Sequence, residues 1–440
     1  MKKSKKILSI ILMSIIMLSL TINATDAIAD EIDFTQTETV EGRPEPVFKE
    51  YREIFEIMDE GVIIPGLEDA YVPQGIEYIE SEDLIVTTHY DNNELGSSVL
   101  GFTNRESGEF VKYLSLYLAE GQRYKGHAGG VAISEKYIWV ASGANVYKFS
   151  LEEAIEKESG DNLVAKSIHE ISTRGSFITY NDGILWAGEF SLPESHKDSS
   201  RYVTDSSHHM KNRDGVDHKS ITLGYVLEDD EFPESGKSSY ALSHTDRTQG
   251  MSFTRDQIYL SHSYGRGNNS DLGSYKNVLK EDKHGYIEVE GENVPLWFLD
   301  NKSKNLEKVL PPMSEGIVAI GDKLHVLFES GARKFLTVTK RYPLDRVQIV
   351  DLEKFDKLER DEMPEEEPSK DEEKDEGKDE EDADKDEESP ETGVETETGS
   401  ETVEDKDSMS TGTIVLIVAA IAAVIAIGYG IGKKRNKENK

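Results

Sequence analysis

Histidine, glutamate, glutamine and arginine residues recur at corresponding places in five similar segments of this chain. Histidines can act as acids, bases or metal ligands, glutamates can bind a cation or form a carboxylate pair, and arginines can hold an anionic group. The candidate residues are Gln74, His89, His127, Arg174, Glu189, Gln249, His262, Arg266, Glu315 and Glu329. What they do together depends on the elements that position them.

Each of the five segments combines a polar residue and a glycine with two short apolar runs that are separated by a polar turn. The segments begin at Gln74-Gly75, Gly129-Gly130, Arg174-Gly175, Gln249-Gly250 and Glu315-Gly316, and their second apolar runs cover 84–90, 137–143, 184–190, 258–264 and 324–330. Third β-rich segments follow at 98–104, 145–150, 221–227 and 294–300, and a fourth is visible at 110–116. The chain therefore repeats a unit of about four short strands.

Short strands in units of roughly 45–75 residues are typical of the blades of a β-propeller. The sequence predicts an all-β propeller over residues 41–360, with five blades; a six-bladed ring with one degenerate unit is the alternative, and a β-sandwich would leave the repeat unexplained. The fifth unit ends at 346–352, and the segment 47–57 is expected to supply its outer strand and close the ring. The composition of 151–158 predicts a small helix.

Propeller geometry predicts where the candidate residues lie. The inner strand of each blade begins on the face where the second strand ends, so both sets of residues converge on one mouth of the central channel. Aligned by eye, the second-strand ends are His89, Gly143, Glu189, Ser263 and Glu329. Polar inserts at 191–219 and 265–293 are expected between second and third strands, on the same face. Binding residues concentrate on loops of this kind, held by a rigid scaffold.

The repeats resemble those of secreted bacterial propellers of the lactonase-like and gluconolactonase-like superfamily. A glutamine-glycine pair followed by two apolar residues carries the resemblance, which covers nearly all of the middle domain. It concerns architecture, because the calcium-binding Glu/Asn/Asp set of that family is not reproduced residue by residue. The resemblance therefore does not predict an enzymatic activity for this chain. The cofactor is unknown, and calcium is a candidate.

Two further groups of residues suggest metals at first reading. The first insert contains His196, His208, His209 and His218 with Asp205 and Asp214, but adjacent histidines lack the spacing of a zinc motif, and a solvated loop is the favoured interpretation. The segment 266–271 lacks the alternating acidic positions of an EF-hand and is interpreted as a polar turn. The sequence contains no G-x-S-x-G, H-E-x-x-H or phosphate-binding glycine motif, which excludes common hydrolases, zincins and P-loop enzymes.

The two ends of the chain predict export and anchoring. Residues 1–29 combine a lysine-rich start, an apolar run and Ala27-Ile28-Ala29, the pattern of a cleaved signal peptide. Residues 361–407 are rich in Asp and Glu and predict a disordered, self-repelling stalk. Residues 413–432 are apolar and long enough to span a bilayer, and the basic tail 433–440 is expected to stay in the cytoplasm.

The C-terminal region also resembles a sortase cell-wall sorting signal. Thr411-Gly412 abuts the apolar span, but Ser408 and Met409 stand where that signal has Leu and Pro, and the alternative Ser389–Gly393 lies well upstream. A plain membrane anchor is favoured. The sequence thus predicts a single-pass protein on a Gram-positive type of surface, with its N-terminal domain outside and cell-wall attachment as an alternative.

Composition narrows the function. The chain has 440 residues, no cysteine and a formal net charge of −36, so it forms no disulfides and is poorly suited to nucleic acid. We expect a tethered propeller that binds an extracellular ligand (a glycan, peptide or wall polymer) at its mouth. The alternative is a metal-assisted hydrolase or lyase that uses histidine and glutamate residues there. A purely structural surface protein is the third interpretation.

Overall fold

A computed structural model describes residues 32–40, 48–193, 195–196, 198–336 and 342–358. The predicted signal peptide, acidic stalk, transmembrane helix and basic tail all lie outside these residues. Within them, every helix is too short or too polar to cross a bilayer.

The described chain folds into five mainly antiparallel sheets, one for each repeated segment, and one small two-stranded sheet. Strand β1 (Met58–Ile63) precedes the first blade, which consists of β2 (Tyr71–Ile79), β3 (Leu84–Asp91), β4 (Val99–Asn104) and β5 (Phe110–Ala119), with β6 (Gln122–Arg123) paired to β5. The second blade consists of β7 (Gly130–Ile133), β8 (Tyr137–Ser142) and β9 (Asn145–Ser150); β10 (Asn162–Val164) pairs back to β5, and β11 (Ser167–Glu170) completes the blade.

The remaining blades follow the same order. The third consists of β12 (Phe177–Asn181) and β13 (Ile184–Gly188), then, after the small hairpin β14 (Met210–Lys211) and β15 (Asp217–His218), of β16 (Ser220–Val226) and β17 (Tyr240–His244). The fourth has β18 (Thr248–Phe253), β19 (Gln257–His262), β20 (Ser270–Lys276) and β23 (Lys304–Leu310). The hairpin β21 (Gly285–Val289) and β22 (Glu292–Phe298), which lies between β20 and β23 in the chain, extends the sheet of the third blade. The fifth has β24 (Ser314–Ile320), β25 (Lys323–Phe328) and β26 (Arg346–Asp351).

Helices are short and lie at the ends of blades. They are the α-helices Arg52–Phe55, Leu151–Glu156, Arg333–Leu336 and Leu352–Phe355 and the 3-10 helices Lys49–Tyr51, Ser199–Arg201, Ser206–His208 and Val278–Lys280. The helix that the sequence predicts at 151–158 is confirmed over Leu151–Glu156, where the Ser150 hydroxyl accepts a hydrogen bond from the Glu153 backbone N–H as an N-cap.

A strand from the N-terminal side closes the ring. Strand β1 pairs antiparallel with β26, with Met58 opposite Val350, so the fifth blade takes its outermost strand from before the first. The five-bladed prediction is thus confirmed, but the prediction that 47–57 forms the closing strand is wrong. Tyr51, Ile54 and Phe55 are buried at helical spacing, and this spacing suits the two short helices that the segment forms.

The fourth unit departs from the predicted layout. Its third strand is β20, and the apolar segment predicted at 294–300 forms most of β22, which pairs in parallel with β17 of the third blade. The predicted insert 265–293 therefore does not lie between second and third strands; the additional residues follow β20. The sequence pattern did not identify β20 as a strand because its centre contains the small residues Gly273 and Ser274. Strand β22 carries larger apolar residues, so the sequence pattern places the third strand there instead.

Hydrophobic side chains fill the five seams between neighbouring blades. Successive residues of the second strands face opposite seams: Ile138 and Val140 belong to the cluster shared with the first blade, whereas Trp139 and Ala141 belong to the cluster shared with the third. This alternation is the two-residue period of a β-strand, applied to a sheet that is buried on both faces.

The inner strands β2, β7, β12, β18 and β24 contact one another in a closed ring around the channel. Glycines permit this approach. An added Cβ on Gly75 would lie 2.7 Å from the Cα of Gly130, and one on Gly316 would lie 3.0 Å from the Cα of Gly75. The space between the strands is only about 10 Å³. Since one water molecule needs at least about 10–15 Å³, this space holds one water at most, and the channel is closed to larger molecules at this level.

Replacement of Gly316 by alanine should destabilise the protein by about 1–3 kcal/mol, because the new methyl group would press on backbone atoms that cannot move aside. Gly285→Ala is the matched control, because open space surrounds its Cβ position. Urea unfolding of both variants measures the difference. Equal stabilities for the two variants would contradict the close approach of the inner strands.

Candidate functional site

Strand pairing gives a residue-by-residue alignment of the five blades at the mouth, the face where inner strands begin. The channel-lining residues Ile76, Val131, Ile178, Met251 and Ile317 pair with Thr87, Val140, Ala187, Leu260 and Val326. Phe177 therefore takes the place of the ring glycine in the third blade, and Ser176 corresponds to Gln74, Gln249 and Glu315. Arg174, predicted for that position, lies two residues earlier.

The same alignment separates the second-strand candidates. His89, Ser142, Glu189, His262 and Phe328 occupy one repeat position, and Tyr90, Gly143, Phe190, Ser263 and Glu329 occupy the next. The first set is buried throughout, facing the seam with the preceding blade. His89, Glu189 and His262 are thus in a different environment from Glu329. The alignment from sequence alone places His89 and Glu189 at the same repeat position as Glu329.

His89 lies in the seam between the fifth and first blades. Its Nε2 is 2.7 Å from the Thr87 hydroxyl, and its ring packs edge-on against Phe34 of the segment 32–40, with ring centroids 5.0 Å apart. Burial lowers its pKa to about 3, so the imidazole is neutral. The structure places this histidine in the hydrophobic seam between the two blades.

Glu189 and His262 are also buried, each with a polar partner. The Glu189 carboxylate is 2.9 Å from Nδ1 of His208, and its other oxygen accepts a hydrogen bond from the Ile221 backbone N–H. His262 Nε2 is 3.1 Å from the Thr245 hydroxyl, and burial lowers the pKa of this histidine to about 3. These contacts hold the first insert and the end of the third blade in place.

Four other candidates form one hydrogen-bonded line across the mouth. The Gln74 side-chain amide donates to Glu329 at 3.3 Å, Glu329 and Glu315 share a hydrogen bond, and the Gln249 amide donates to Glu315 at 3.2 Å. We call these four residues the mouth line. It joins the first, fifth and fourth blades directly above the ring of glycines.

β-Bulges determine the side-chain direction of three members of the mouth line. The pairing register shifts between Pro73 and Ile76, between Thr248 and Gly250, and between Ser314 and Ile317. Each shift contains one of the residues Gln74, Gln249 and Glu315. A bulge turns a side chain away from the alternation of its strand, and three bulges at the same place bring these side chains together.

The two glutamates share a proton. Burial, and then the negative charge of Glu329, raise the pKa of Glu315 well above its usual range. Burial raises the pKa of Glu329 to about 7, against the lowering effect of Lys334, Gln74 and Arg266. Two carboxyl groups in direct hydrogen-bonding contact cannot both be ionised at low cost, so the pair loses its protons in two separate steps. One proton stays on the pair after the first step near pH 7.

Cations and aromatic rings form an arc beside the mouth line. The Arg266 guanidinium lies 5.0 Å from the centre of the Phe335 ring, and the Lys334 ammonium lies 5.2 Å from the same ring. Lys334 also donates to the Tyr90 hydroxyl at 3.3 Å, and the Tyr90 ring stacks on His127 at 4.2 Å. We call Arg266, Phe335, Lys334, Tyr90 and His127 the basic arc; it spans four blades.

The first insert contributes Tyr202 and His196 to a second group of rings, which Phe190 of the third blade and Tyr264 of the fourth complete. As predicted, the insert lies between the second and third strands of its blade. Phe190, Tyr202 and Tyr264 pack together with centroid distances of 5.1–6.0 Å, and His196 meets Tyr264 edge-on at 4.7 Å. We call these four residues the aromatic patch. Arg174 lies beside it, and its guanidinium donates to the Arg201 backbone carbonyl at 3.2 Å.

A groove of about 640 Å³ opens on the same face, over the seam between the fifth and first blades. Its lining includes Asp33, Glu68, Asp69 and Asp91, and it reaches Lys334 at one end. Burial raises the pKa of Asp69, although hydrogen bonds from Thr35 oppose the shift. This side of Lys334 is therefore acidic, whereas the side towards Arg266 is basic.

The histidines of the first insert do not gather around one point. His208 bonds Glu189, His209 lies 2.9 Å from the Thr204 hydroxyl, and His218 is buried between Asn212 and Ser243. The favoured solvated-loop interpretation is wrong for His208 and His218, which are buried. In the part of the chain that the structure describes, no three His, Asp or Glu side chains are grouped so as to hold a metal ion.

Sequence reasoning missed Lys334, Phe335, Tyr90 and the tyrosines of the aromatic patch. Tyr90 had a usable signal, since it occupies the repeat position of Glu329. Lys334 and Phe335 had none, because they lie in a helix inserted after the second strand of the fifth blade, outside the repeat.

The fold and the mouth define a five-bladed β-propeller with a polar, partly buried site over a closed channel. No family model and no curated protein matches the chain. Similar solved structures include a putative glucose dehydrogenase from Thermus thermophilus (12% identity, 67% of this chain and 99% of that chain, TM-score 0.34), a GH43_1 enzyme from Xanthomonas citri (9%, 68% and 92%, 0.35) and BamB from Moraxella catarrhalis (8%, 64% and 85%, 0.27). With scores this low, the resemblance is one of fold only, and the blade count rests on the strand pairing above.

The shared proton makes stability depend on pH. Because the pKa of Glu329 is raised from 4.5 to about 7, the folded protein binds protons more tightly than the unfolded chain. The resulting stabilisation is complete below about pH 4.5 and is lost as the pH rises through about 7. Between about pH 5 and pH 8, the free energy of unfolding should fall on the order of 2 kcal/mol more in the wild type than in Glu329→Gln.

Urea unfolding at both pH values measures this difference. The control is Glu120→Gln, a substitution of an exposed residue, which should show the same pH dependence as the wild type. The same pH dependence in all three proteins would show that the glutamates do not share a proton.

Proposed function

We propose that this chain is an extracellular binding protein, anchored to the membrane, whose propeller holds a ligand at the channel mouth. One observation supports the proposal above the others: the mouth line brings two amides and a carboxyl pair from three blades into one hydrogen-bonded row. A ligand that replaces water around these groups must itself carry several hydrogen-bonding groups. Glycans, peptides and wall polymers have this chemistry.

The closed channel supports binding on the mouth face. Only about 10 Å³ remains within the ring of glycines, too little for a ligand. The proposed ligand therefore lies outside the ring, across the mouth, where the mouth line, the basic arc and the aromatic patch would contact it. Polar groups with fixed geometry beside aromatic surface are the usual composition of a ligand site. These groups are distributed over several blades, so the rigid ring fixes their spacing.

The proposed location outside the cell follows from the sequence of both ends. The signal-peptide pattern of residues 1–29, the acidic segment 361–407 and the apolar segment 413–432 support export, a spacer and an anchor in that order. A stalk of this length would carry the mouth away from the membrane, towards polymers of the cell surface.

Catalysis at the same mouth is the second candidate, because a carboxyl pair that shares a proton can act as an acid and a base. Its geometry differs from that of glycoside hydrolases. Those enzymes separate their two carboxyl groups by about 5–5.5 Å or by about 6.5–9.5 Å, whereas Glu315 and Glu329 are in direct hydrogen-bonding contact. A hydrolase or lyase here would use the pair as one proton-transferring unit.

Binding to the full-length protein tests the proposal, with glycans, peptides and wall polymers as probes and surface plasmon resonance as readout. Gln74→Ala and Gln249→Ala should each weaken binding by roughly tenfold, because each removes an amide from the mouth line. Gln257→Ala is the matched control, since Gln257 lies on the opposite face and bonds Asp356.

Equal affinities for all three variants, or no binding by the wild type, would contradict binding at the mouth. Conversion of a bound probe to product, lost in Glu315→Gln, would favour the catalytic candidate.

A further inference from the structure

Cations gather on one side of the mouth, whereas the groove over the seam between the fifth and first blades is acidic. The cations are Arg266, Lys334 and Arg174, and the first two lower the pKa of Glu329 through space. Cations gathered beside a polar site indicate a negatively charged ligand group.

The charges around the mouth line can be counted. The groups that face Glu329 are Glu315 and Gln74 on inner strands, Lys334 on the helix after β25 and Arg266 on the loop after β19. Tyr90 and His127 adjoin Lys334 from the first and second blades. Above about pH 7, where one proton remains on the two glutamates, the two carboxyls, Lys334 and Arg266 together carry a net charge of about +1. One anionic group would neutralise it.

The rings around these cations fit a saccharide. In the basic arc, Phe335 and Tyr90 hold Arg266 and Lys334 by cation–π contacts, which fix the direction of both side chains. The aromatic patch continues the surface, because Tyr264 belongs to the patch and Arg266 follows it by two residues. Tyr202 and Tyr264 are partly exposed and offer ring surface, and the amides of the mouth line offer groups for hydroxyls.

We propose that the mouth binds an acidic oligosaccharide, with a sugar carboxylate held by Arg266 and Lys334 and neighbouring sugar rings against the aromatic patch. This inference rests on the proposed binding function. It also gives the ligand a direction: the chain extends from Lys334 towards Arg266 and the patch, because the groove on the other side of Lys334 is lined by Asp33, Asp69 and Asp91.

Matched glycan pairs provide the test on the full-length protein. The acidic probes are oligosaccharides of hyaluronan, alginate and polygalacturonate and wall fragments that contain muramic acid; each is paired with its carboxyl-reduced form, and polyglycerol phosphate is included. At least one acidic probe should bind, and reduction of its carboxylates should weaken binding by roughly tenfold or more.

Variants assign the effect to the two cations. Arg266→Gln and Lys334→Gln should each weaken binding of the acidic probe by roughly tenfold, and Arg266→Lys should restore part of the loss because it keeps the charge. Arg105→Gln and Lys166→Gln are matched controls, since these residues form exposed ion pairs with Asp83 and Glu153 elsewhere on the fold. Both controls should keep wild-type affinity.

Three results would overturn the inference: no acidic oligosaccharide binds, the reduced forms bind equally well, or polyglycerol phosphate is the sole binder. Failure of the broader proposal looks different. If neutral glycans or peptides bind and Gln74→Ala abolishes that binding, the mouth is a binding site and only the acidic ligand class is wrong. If no probe of any kind binds, both proposals fail.

Discussion

The close approach of five inner strands determines the rest of this structure. In a ring of five blades the inner strands meet almost at van der Waals distance, so Gly75, Gly130, Gly250 and Gly316 occupy positions where a Cβ would overlap neighbouring backbone. The third blade solves the same problem differently, with Phe177 turned over Gly188 of its second strand. Because the ring leaves no passage for a ligand, the inner strands close the bottom of the site and do not form an open pore.

The close approach of the inner strands also determines how the polar groups at the mouth are arranged. Inner strands that converge so tightly also bring the residues just before the glycines together, and β-bulges in three adjacent blades turn Gln74, Gln249 and Glu315 towards one another. Glu329 joins them from the end of β25. Two carboxyl groups forced into contact under low exposure to water keep a proton near neutral pH. The unusual protonation is thus a consequence of ring geometry.

The sequence was sufficient for the architecture because every blade repeats one pattern of short apolar runs and polar turns. It failed where side chains break the pattern: β20 is rich in small residues, and the closing segment buries Tyr51, Ile54 and Phe55 at helical spacing. The mouth residues were only partly predictable. Gln74, Gln249, Glu315 and Glu329 do converge, but bulges and the substitution of Phe177 for a glycine shifted the alignment by one or two residues. As a result, buried His89 and Glu189 were grouped with Glu329, and Tyr90 and Lys334 were missed.

The central claim is that Glu315 and Glu329 share one proton at the mouth. Infrared spectroscopy measures this directly, because a protonated carboxyl group has a carbonyl stretch that ionised carboxylates lack. At about pH 8, where ordinary exposed carboxyls and Glu329 are ionised, the difference spectrum between wild type and Glu315→Gln should show the loss of one such band. A difference spectrum without that band would mean that both glutamates are ionised and would contradict the account.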